Sequence, residues 1–362
     1  MSISLHAEWH DIGAWNRFVE AHRQGRFCHL FGYGDVLKCY GYEPVRLGFV
    51  RSDKLMAVLP GTRTKSVFFG RKIVCQPFSE YGGILVDPSA GGEDLDEIYQ
   101  LLRGYLGKAN AKFKILELHG DHGIPQHLKK EHFTKHFIRE NPHHVALLSL
   151  DRPADQLWKD VIQYSVRKGV NKAQNNGVHV VEECSKEIVR NRFFPLYLSS
   201  MKRLGVPPHS LEYYLRCQEL MQERMKIFWA VKEGNYVAGL LGFITGRSVH
   251  IVNIVSDRNA WGFSPNDLIH WEFIRWSAES GINVFDFGSV RYDGQRTYKK
   301  KWGTTFEEHA HYFLRADAVT TSSSTFNSSS ETMATFSRIW SNYVPASVAR
   351  RIGPHIRKQL VR

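Results

Sequence analysis

The amino-acid sequence predicts a mixed α/β protein built from two copies of one folding unit. Each copy has three consecutive apolar, strand-like segments separated by turn residues, then a helical segment, then one more strand. The segments are 45–50, 55–60, 71–75, 93–110 and 114–119 in the first copy, and 227–231, 236–244, 248–255, 264–279 and 283–287 in the second. Short strands that alternate with helices in this way are typical of mixed sheets covered by helices.

An internal sequence repeat supports the duplication. VRSDKLMAVLPGTRTKSVFFGRKIVC, which starts at Val50, is similar to VKEGNYVAGLLGFITGRSVHIVNIV, which starts 181 positions later at Val231. NAKFKILELHG is similar to ESGINVFDFGS, with Ile115 and Val284 in matching places 169 positions apart. The two matches occur in the same order with comparable offsets. Their period is far longer than the roughly 20–50 residues of solenoid repeats, so it indicates duplication of a whole domain.

The chain divides into four expected segments. They are a first unit at 1–145, a second unit at 146–318 that carries the active site, a Ser/Thr-rich linker at 319–331 and a basic amphipathic helix at 332–362. Within the first unit, residues 120–145 are rich in histidine and charge and predict an irregular connection. Apolar residues recur at steps of three or four in the last segment, with interruptions expected near Pro345 and Pro354.

Composition excludes several classes of protein. Of the 362 residues, 43% are hydrophobic and 23% are charged, which is a globular balance and not that of a disordered chain. No apolar run approaches the roughly 20 residues that span a bilayer. The five cysteines are widely spaced without a C-x-x-C pair, which argues against a disulfide scaffold or a cysteine zinc site. Because MSISLHAEWHDIGAW does not resemble a signal peptide, we expect a cytoplasmic protein.

The charge favours polyanionic partners. The net charge is +12, and the residues from Ser337 to Arg362 include six basic side chains and no acidic one. Such a surplus suits RNA, anionic lipid or phosphorylated small molecules, although a merely basic surface is the alternative. The tail also contains Trp340. We expect it either to lie on the anionic inner face of the membrane or to dock back onto the catalytic body.

Six motifs, taken in order, resemble those of the FemAB-like proteins. They are CQPFSEYGG at 75–83, YSVRKGVNKAQNNGV at 164–178, KRLGVPP at 202–208, SPNDL at 264–268, FDFG at 285–288 and YKKKWG at 298–303. The combination, which covers about residues 10 to 360, is most similar to the FemAB-like proteins associated with PEP-CTERM/exosortase systems in Gram-negative bacteria.

The resemblance implies a tandem duplicated GNAT-like acyltransferase fold. Fem-type relatives transfer an amino acid from aminoacyl-tRNA to an amine of a peptidoglycan precursor. The implied function is therefore acyl or aminoacyl transfer to an amine of a cell-envelope or exopolysaccharide-related acceptor, with aminoacyl-tRNA or acyl-CoA as the donor and no tightly bound cofactor. A CoA-dependent N-acyltransferase and a non-catalytic scaffold are the alternatives.

Amide formation needs a neutral amine, a stabilised oxyanion and substrates held in line. The resemblance assigns Lys299 to this chemistry, as a cation for the oxyanion or for a phosphate of the donor, while a solvated basic loop is the alternative. Asp286 lies between aromatic residues in a predicted central strand, where an unpaired acid is costly. It could orient a base or accept the proton of the amine, or it could form a buried ion pair with Arg291 or Lys299.

Substrate-binding candidates lie around these residues. Arg291 and Tyr292 follow the strand of Asp286, where loops commonly carry binding groups, and Tyr298 precedes Lys299. The other candidates are Arg167, Lys168 and Lys172 on one predicted helix, Glu80 and Tyr81 before Gly82-Gly83, and Asn266. Exposed basic faces and tight turns are the structural alternatives. Ser264 and Pro265 predict a capped helix start, which gives Asn266 a purely structural reading.

Two further patterns bear on the donor and on metal binding. The segment RNAWGF at 258–263 departs from the Q/R-x-x-G-x-G/A loop that binds acetyl-CoA in ordinary GNAT proteins, which disfavours a CoA donor. Histidines crowd one connection, at 119, 122, 132, 136, 143 and 144. Without an H-E-x-x-H pattern or an accompanying carboxylate pattern, we expect a solvated, His-rich connection and no metal site.

Overall fold

The computed structural model describes residues 2–68, 70–108, 115–121, 123–128, 136–315 and 330–361. The strands are β1 (Ser4–His6), β2 (Glu43–Arg51), β3 (Lys54–Ser66), β4 (Gly70–Cys75), β5 (Leu85–Val86), β6 (Ile115–His119), β7 (Ile138–Ser149), β8 (His179–Glu182), β9 (Met225–Lys232), β10 (Asn235–Thr245), β11 (Ser248–Ser256), β12 (Val284–Val290) and β13 (Thr305–Arg315). The helices are α1 (Ile12–Ala21), α2 (Phe31–Val36), α3 (Gly92–Lys108), α4 (Ala154–Gln156), α5 (Tyr164–Asn175), α6 (Lys186–Ile188), α7 (Phe194–Arg203), α8 (Leu211–Met221), α9 (Pro265–Glu279), α10 (Asp293–Lys300), α11 (Ser330–Tyr343) and α12 (Ala346–Gln359).

These residues form two compact units. One comprises the described residues within 1–143, 308–326 and 358–362, and the other those within 144–307 and 327–357. The strand β7 therefore passes from the first unit into the second, and β13 passes back. The sequence instead places residues 308–315 in the second unit, because a pattern along the chain does not reveal that a late strand completes an early sheet.

The first unit is a mixed sheet with a helix on one face. Strands β2, β3 and β4 form an antiparallel meander, β6 pairs parallel to β4, and β13 pairs antiparallel to β6. Alternate residues of these strands enter an apolar core with α3, which contains Leu59, Ile73, Leu116, Leu102 and Leu314 among others. The opposite face of β4, β6 and β13 is polar, although it too is buried.

The second unit repeats this topology. Strands β9, β10 and β11 form an antiparallel meander, α9 follows, and β12 pairs parallel to β11. On its other side β12 pairs antiparallel to β7, as β6 pairs with β13 in the first unit. The core under α9 contains Leu240, Val249, Phe273, Ile274 and Phe285 among others. Two units with one connectivity confirm the predicted fold class, a duplicated mixed α/β architecture.

Two local predictions are corrected, and a third is not tested. The irregular connection expected over 120–145 is shorter, because β7 begins at Ile138. The tail breaks between α11 and α12 at Val344 and Pro345 as expected, but Pro354 lies inside α12 and does not end it. The Ser/Thr-rich linker expected at 319–331 falls almost entirely outside the described residues.

The two C-terminal helices pack on the second unit. Trp340 is only 3% exposed, and the hydroxyl of Ser337 donates to the carbonyl of Leu204 at 3.3 Å. Further along, Arg357 donates to the carbonyl of Pro207 at 2.7 Å. The tail therefore docks, as one of the two alternatives predicted. Among the described residues, none of the helices combines the length and the apolar character needed to cross a membrane.

Candidate active site

The centre of the second unit is a place where two neighbouring strands separate. The parallel pairing of β11 with β12 joins only Ser248–His250 to Val284–Asp286. A bulge then interrupts the pairing of β11 with β10 near Gly242. Over the described residues, β11 and β12 continue past this point without pairing to each other. Backbone groups released from a ladder in this way are available to a ligand that enters between the strands.

Asp286 and His250 lie at the last paired position, where the strands begin to separate. Both are buried, and His250 Nδ1 is 3.6 Å from Asp286 Oδ2. The other carboxylate oxygen accepts a hydrogen bond from the amide of Gly288 at 2.8 Å. The carboxylate lies beside an imidazole, and a general base with a neighbouring acid is such a pair.

Lys299 is buried and tied to the far end of β12. Its ammonium donates to the carbonyls of Phe287, Gly288 and Ser289 at 2.6, 3.0 and 2.7 Å. An ammonium has three N–H donors, and three carbonyls take them here. Lys299 is therefore not part of a solvated loop. In this structure its contacts position the strand that carries Asp286.

An aromatic group surrounds this lysine. The Tyr298 hydroxyl is 3.4 Å from His270 Nδ1, and the His270 ring stacks on Phe287 with centroids 5.6 Å apart. Burial lowers the pKa of His270 to about 4, despite its contact with the Asn266 carbonyl, so the imidazole is neutral at physiological pH. Burial raises the pKa of Tyr298, and the nearby Asp267 carboxylate raises it further.

The start of α9 differs from the sequence prediction. Ser264 occupies the expected N-cap position, but its backbone is left-handed, with φ 56°, and its side chain makes no capping bond. Asn266 and Asp267 follow in the first turn. Asp267 packs directly on α5, because a Cβ added to Gly169 would lie 2.1 Å from its carboxylate oxygen. Burial raises the pKa of Asp267 to about 6, against the opposing effect of Lys301.

The segment before α9 has little main-chain donor capacity left. Residues Arg258–Phe263 form a 3-10 helix. The amide of Asn259 donates to the Asp257 side chain, and the amides of Ala260, Ser264 and Asp267 donate to carbonyls of the same segment. An anion-binding loop needs amides that point outward to the ligand. In this segment, four amides already donate internally and are not available to such a ligand.

The predicted basic side chains of α5 separate into two kinds. Arg167 lies within hydrogen-bond distance of the carbonyls of Trp158, Lys159 and Ile162, at 3.0, 3.1 and 2.6 Å. These contacts cap the preceding π-helical turn, which is a structural role. Lys168 and Lys172 are exposed one turn apart on the same face. They remain available to a phosphate-bearing substrate.

The predicted loop after β12 is exposed. Arg291 and Tyr292 connect β12 to α10, and Tyr292 is 63% exposed. The Arg291 amide donates to the side chain of Gln295 at 2.9 Å, which orders the turn. The loop lies at the same end of β12 as the Lys299 contacts.

Glu80 and Tyr81 belong to the first unit. Tyr81 is buried with its ring edge-to-face on His309, and Glu80 lies 3.6 Å from His143 Nε2. Side chains at Gly82 and Gly83 would meet the carbonyls of Cys75 and Gly120 at 1.8 and 2.6 Å. These glycines allow two backbone segments to approach each other, which agrees with the tight-turn alternative.

Sequence reasoning missed a buried group of titratable residues in the first unit. Glu117, His119 and His311 lie together, with Lys72 on the other oxygen of Glu117. Burial alone would raise the pKa of Glu117, but its contacts with His119 and His311 and the charge of the Lys72 ammonium hold it well below its ordinary value. The expectation of a solvated connection is wrong for His119 and His143, which are 7% and 9% exposed. His122 and His132 lie outside the described residues.

Comparison with known proteins extends this picture. Residues 162–300, which contain the separated strands and Lys299, match the model of an acetyltransferase (GNAT) domain. A lipid II:glycine glycyltransferase from Staphylococcus saprophyticus is 27% identical over 101 residues, a match that spans 26% of this chain and 24% of that relative.

Solved structures resemble a larger part of the chain. A crystal structure of FemX matches with a TM-score of 0.69 and 17% identity, over 86% of this chain and 97% of that one. The structure of L-PGS from Bacillus licheniformis matches with a TM-score of 0.53 and 15% identity, over 92% and 98%. Residues 162–300 therefore match a GNAT domain, and the chain shares its fold with FemX.

Proposed function

We propose that this protein forms an amide bond by transferring an aminoacyl group from aminoacyl-tRNA to an amine of a cell-envelope acceptor. The observation that carries the proposal is the buried His250–Asp286 pair at the point where β11 and β12 separate, inside the segment that matches the GNAT domain. The similarity to a lipid II:glycine glycyltransferase supports the choice of group and acceptor.

The reaction proceeds by attack of a neutral amine on the ester carbonyl of the donor. The new C–N bond forms as the ester C–O bond breaks, and the proton lost by the amine ends on the released hydroxyl of the tRNA. In this scheme His250 takes that proton and passes it on, while Asp286 holds the imidazole in place. Lys299 fixes the end of β12, so that amides freed from the ladder can face the developing oxyanion.

The start of α9 favours the aminoacyl donor over acyl-CoA. Four main-chain amides at this helix start donate within the segment 257–267 and are therefore not free to bind a pyrophosphate. With a pKa of about 6, the Asp267 carboxyl is mostly ionised at neutral pH, so it adds a negative charge at the same helix start. Both effects weaken binding of a pyrophosphate there. The CoA-dependent alternative is the competing outcome of the donor experiment.

The acceptor is proposed to be reached at the inner face of the cytoplasmic membrane. Lys168 and Lys172 offer cations to a phosphate-linked acceptor, and the docked tail keeps Val348 and Ile352 exposed beside Arg350 and Arg351. An apolar pair flanked by arginines suits peripheral contact with anionic lipid. A role beside a PEP-CTERM/exosortase or exopolysaccharide system is the more specific form of this proposal.

The donor is tested by equilibrium binding of aminoacylated and deacylated tRNA at fixed salt, with acetyl-CoA as competitor. We expect tighter binding of the charged tRNA and no displacement by acetyl-CoA. Because phosphate contacts are shared by both tRNA forms, a difference in their affinity reports the aminoacyl group. Equal binding of the two forms, with displacement by acetyl-CoA, would support the CoA-dependent alternative.

The role of the His250–Asp286 pair is tested by transfer of a labelled amino acid to a panel of envelope amines that includes lipid II. We expect His250→Gln to reduce the rate by about 10²–10⁴-fold, the usual contribution of a general base, with tRNA affinity retained. His179→Gln, at an exposed histidine on β8, is the matched control. A full transfer rate in His250→Gln would show that the His250–Asp286 pair takes no part in the mechanism.

A further inference from the structure

The first unit buries a polar face on its sheet. Alternate residues of β4, β6 and β13 point away from the apolar core, and among them are Lys72, Glu117, His119, His309 and His311. Glu117 is fully buried, and Lys72, His119 and His309 are nearly so. Ionisable side chains are rarely buried in such numbers unless they pair with one another or hold a ligand.

Three of these side chains converge on one point. Glu117 Oε1 lies 3.1 Å from His311 Nδ1 and 3.4 Å from His119 Nε2. One potential ligand atom from each residue lies within 4.8 Å of the other two. The register explains the convergence, because His119 and His311 are directly paired across β6 and β13, and Glu117 lies two residues before His119 on the same face.

The proton on His119 adds a second, independent argument. Its Nδ1 lies 2.9 Å from the carbonyl oxygen of Ser79, which can only accept, so Nδ1 carries the hydrogen. In a neutral imidazole Nε2 then presents a lone pair, and it faces the acceptor-only carboxylate of Glu117. His119 Nε2 is buried and has no hydrogen-bond partner among the described residues, so it is placed to bind a cation that lies between it and the carboxylate.

We propose that Glu117, His119 and His311 bind a divalent transition-metal ion, of which zinc is the reference case. Two imidazoles and one carboxylate are a donor set that zinc accepts, and three protein ligands leave a coordination position open. The Ser79 carbonyl on His119 Nδ1 is the outer contact that orients metal-binding histidines. The site belongs to the first unit and does not depend on the proposed donor or acceptor.

Lys72 sets the affinity of this site. Its ammonium binds the second oxygen of Glu117, so it neutralises the carboxylate and repels an incoming cation. Replacing it with an uncharged side chain of similar length removes the repulsion. An ordinary network of ion pairs would not gain metal affinity from that change. The metal affinity of a Lys72 variant therefore distinguishes a metal site from a network of ion pairs.

The experiment is titration of the metal-free full-length protein with Zn²⁺, by calorimetry against a competing chelator, and with Co²⁺, whose visible absorption reports coordination. We expect one equivalent to bind. Glu117→Gln and His311→Ala should each weaken binding by about 100-fold or more, since even loss of an outer contact costs about 10–100-fold. Lys72→Met should bind more tightly than the wild type. His355→Ala, at an exposed histidine of α12, should bind as the wild type does.

Either of two results would overturn the proposal. One is the absence of a stoichiometric Zn²⁺ complex in both the wild type and Lys72→Met. The other is binding that is unchanged in Glu117→Gln and His311→Ala, which would locate the ion elsewhere. Circular dichroism of each variant checks folding. If a ligand variant unfolds, the comparison of Lys72→Met with the wild type still decides, because both retain all three ligands.

Discussion

At the scale of single residues, Asp267 illustrates how burial changes the pKa of a carboxyl group. Its carboxyl lies at the start of α9, where a negative charge is favoured by the helix, yet contact with α5 at Gly169 removes water from it. Burial has the larger effect and raises the pKa to about 6, while Lys301 opposes the change. A group held in this way stabilises the fold when protonated and destabilises it when ionised.

The sign of the resulting pH dependence follows from proton binding. Between the ordinary pKa of 3.8 and the folded value of about 6, the folded state holds a proton that the unfolded state has released. The free energy of unfolding therefore falls as pH rises through this window, and the full cost is present above it. We expect Asp267→Asn to increase the free energy of unfolding at pH 7.5 by about 1–3 kcal/mol, since one pKa unit corresponds to 1.36 kcal/mol.

Urea denaturation at pH 4 and pH 7.5 measures this effect. The difference between Asp267→Asn and the wild type should nearly vanish at pH 4, where the aspartic acid is mostly protonated in the folded state. A difference of the same size at both pH values would mean that packing or a hydrogen bond, and not the charge, is responsible.

Residue roles were harder to predict than residue positions. The sequence identifies Asp286, because an acid between aromatic residues in a strand requires a partner. Its partner His250 was missed, since the two meet only through the parallel register of β11 and β12. Glu117 occupies the place in the first repeat that Asp286 occupies in the second. The repeat was therefore the available signal for Glu117, whereas its ligand partner His311 lies 194 positions away.

At the scale of elements, the strand order and the helices α3 and α9 could be predicted, because their periodicity and turn residues are local. The crossing of β7 and β13 between the units could not, because sheet partners depend on register and not on sequence neighbours. The capping of α9 was also missed. Ser264 has the right side chain, but its backbone is left-handed and its hydroxyl makes no capping hydrogen bond.

The end of β12 depends on a single cation. Lys299 supplies hydrogen bonds to three successive carbonyls that β11 has left unpaired. We expect Lys299→Met to lower the free energy of unfolding by about 2–4 kcal/mol, because hydrogen bonds to a charged group contribute about 1.5–3 kcal/mol and buried carbonyls lose their partner. Transfer activity should fall with it, as the strand that carries Asp286 loses its anchor.

Urea denaturation and the transfer assay, run on the same variants, test this role. Lys300→Met is the matched control, since Lys300 is the exposed neighbour in the same helix and should change stability by less than about 0.5 kcal/mol. Lost activity with unchanged stability in Lys299→Met would point instead to the direct catalytic role that the family resemblance implies.

At the scale of the whole molecule, charge is distributed unevenly. The net charge is +12, and the residues from 337 to 362 hold six basic side chains and no acidic one. Packing of Trp340 against the second unit removes the residue that the sequence suggested as an interfacial anchor. Exposed apolar residues remain in this segment, and two of them, Val348 and Ile352, lie one turn apart on α12 with Arg351 beside them.

This arrangement predicts peripheral binding to anionic vesicles through α12. Basic side chains near an anionic surface contribute about 1 kcal/mol each, and burial of an isoleucine side chain about 1.5–3 kcal/mol. We expect cosedimentation with vesicles that contain phosphatidylglycerol, weakened by salt because exposed charges are screened. Ile352→Asp should lower the partition constant onto these vesicles by about tenfold, since the variant loses apolar burial and adds repulsion from the lipid. Ile12→Asp, at an exposed isoleucine of α1, should bind as the wild type does. Equal binding to neutral and anionic vesicles, or full binding by Ile352→Asp, would assign the basic surface to the tRNA donor alone.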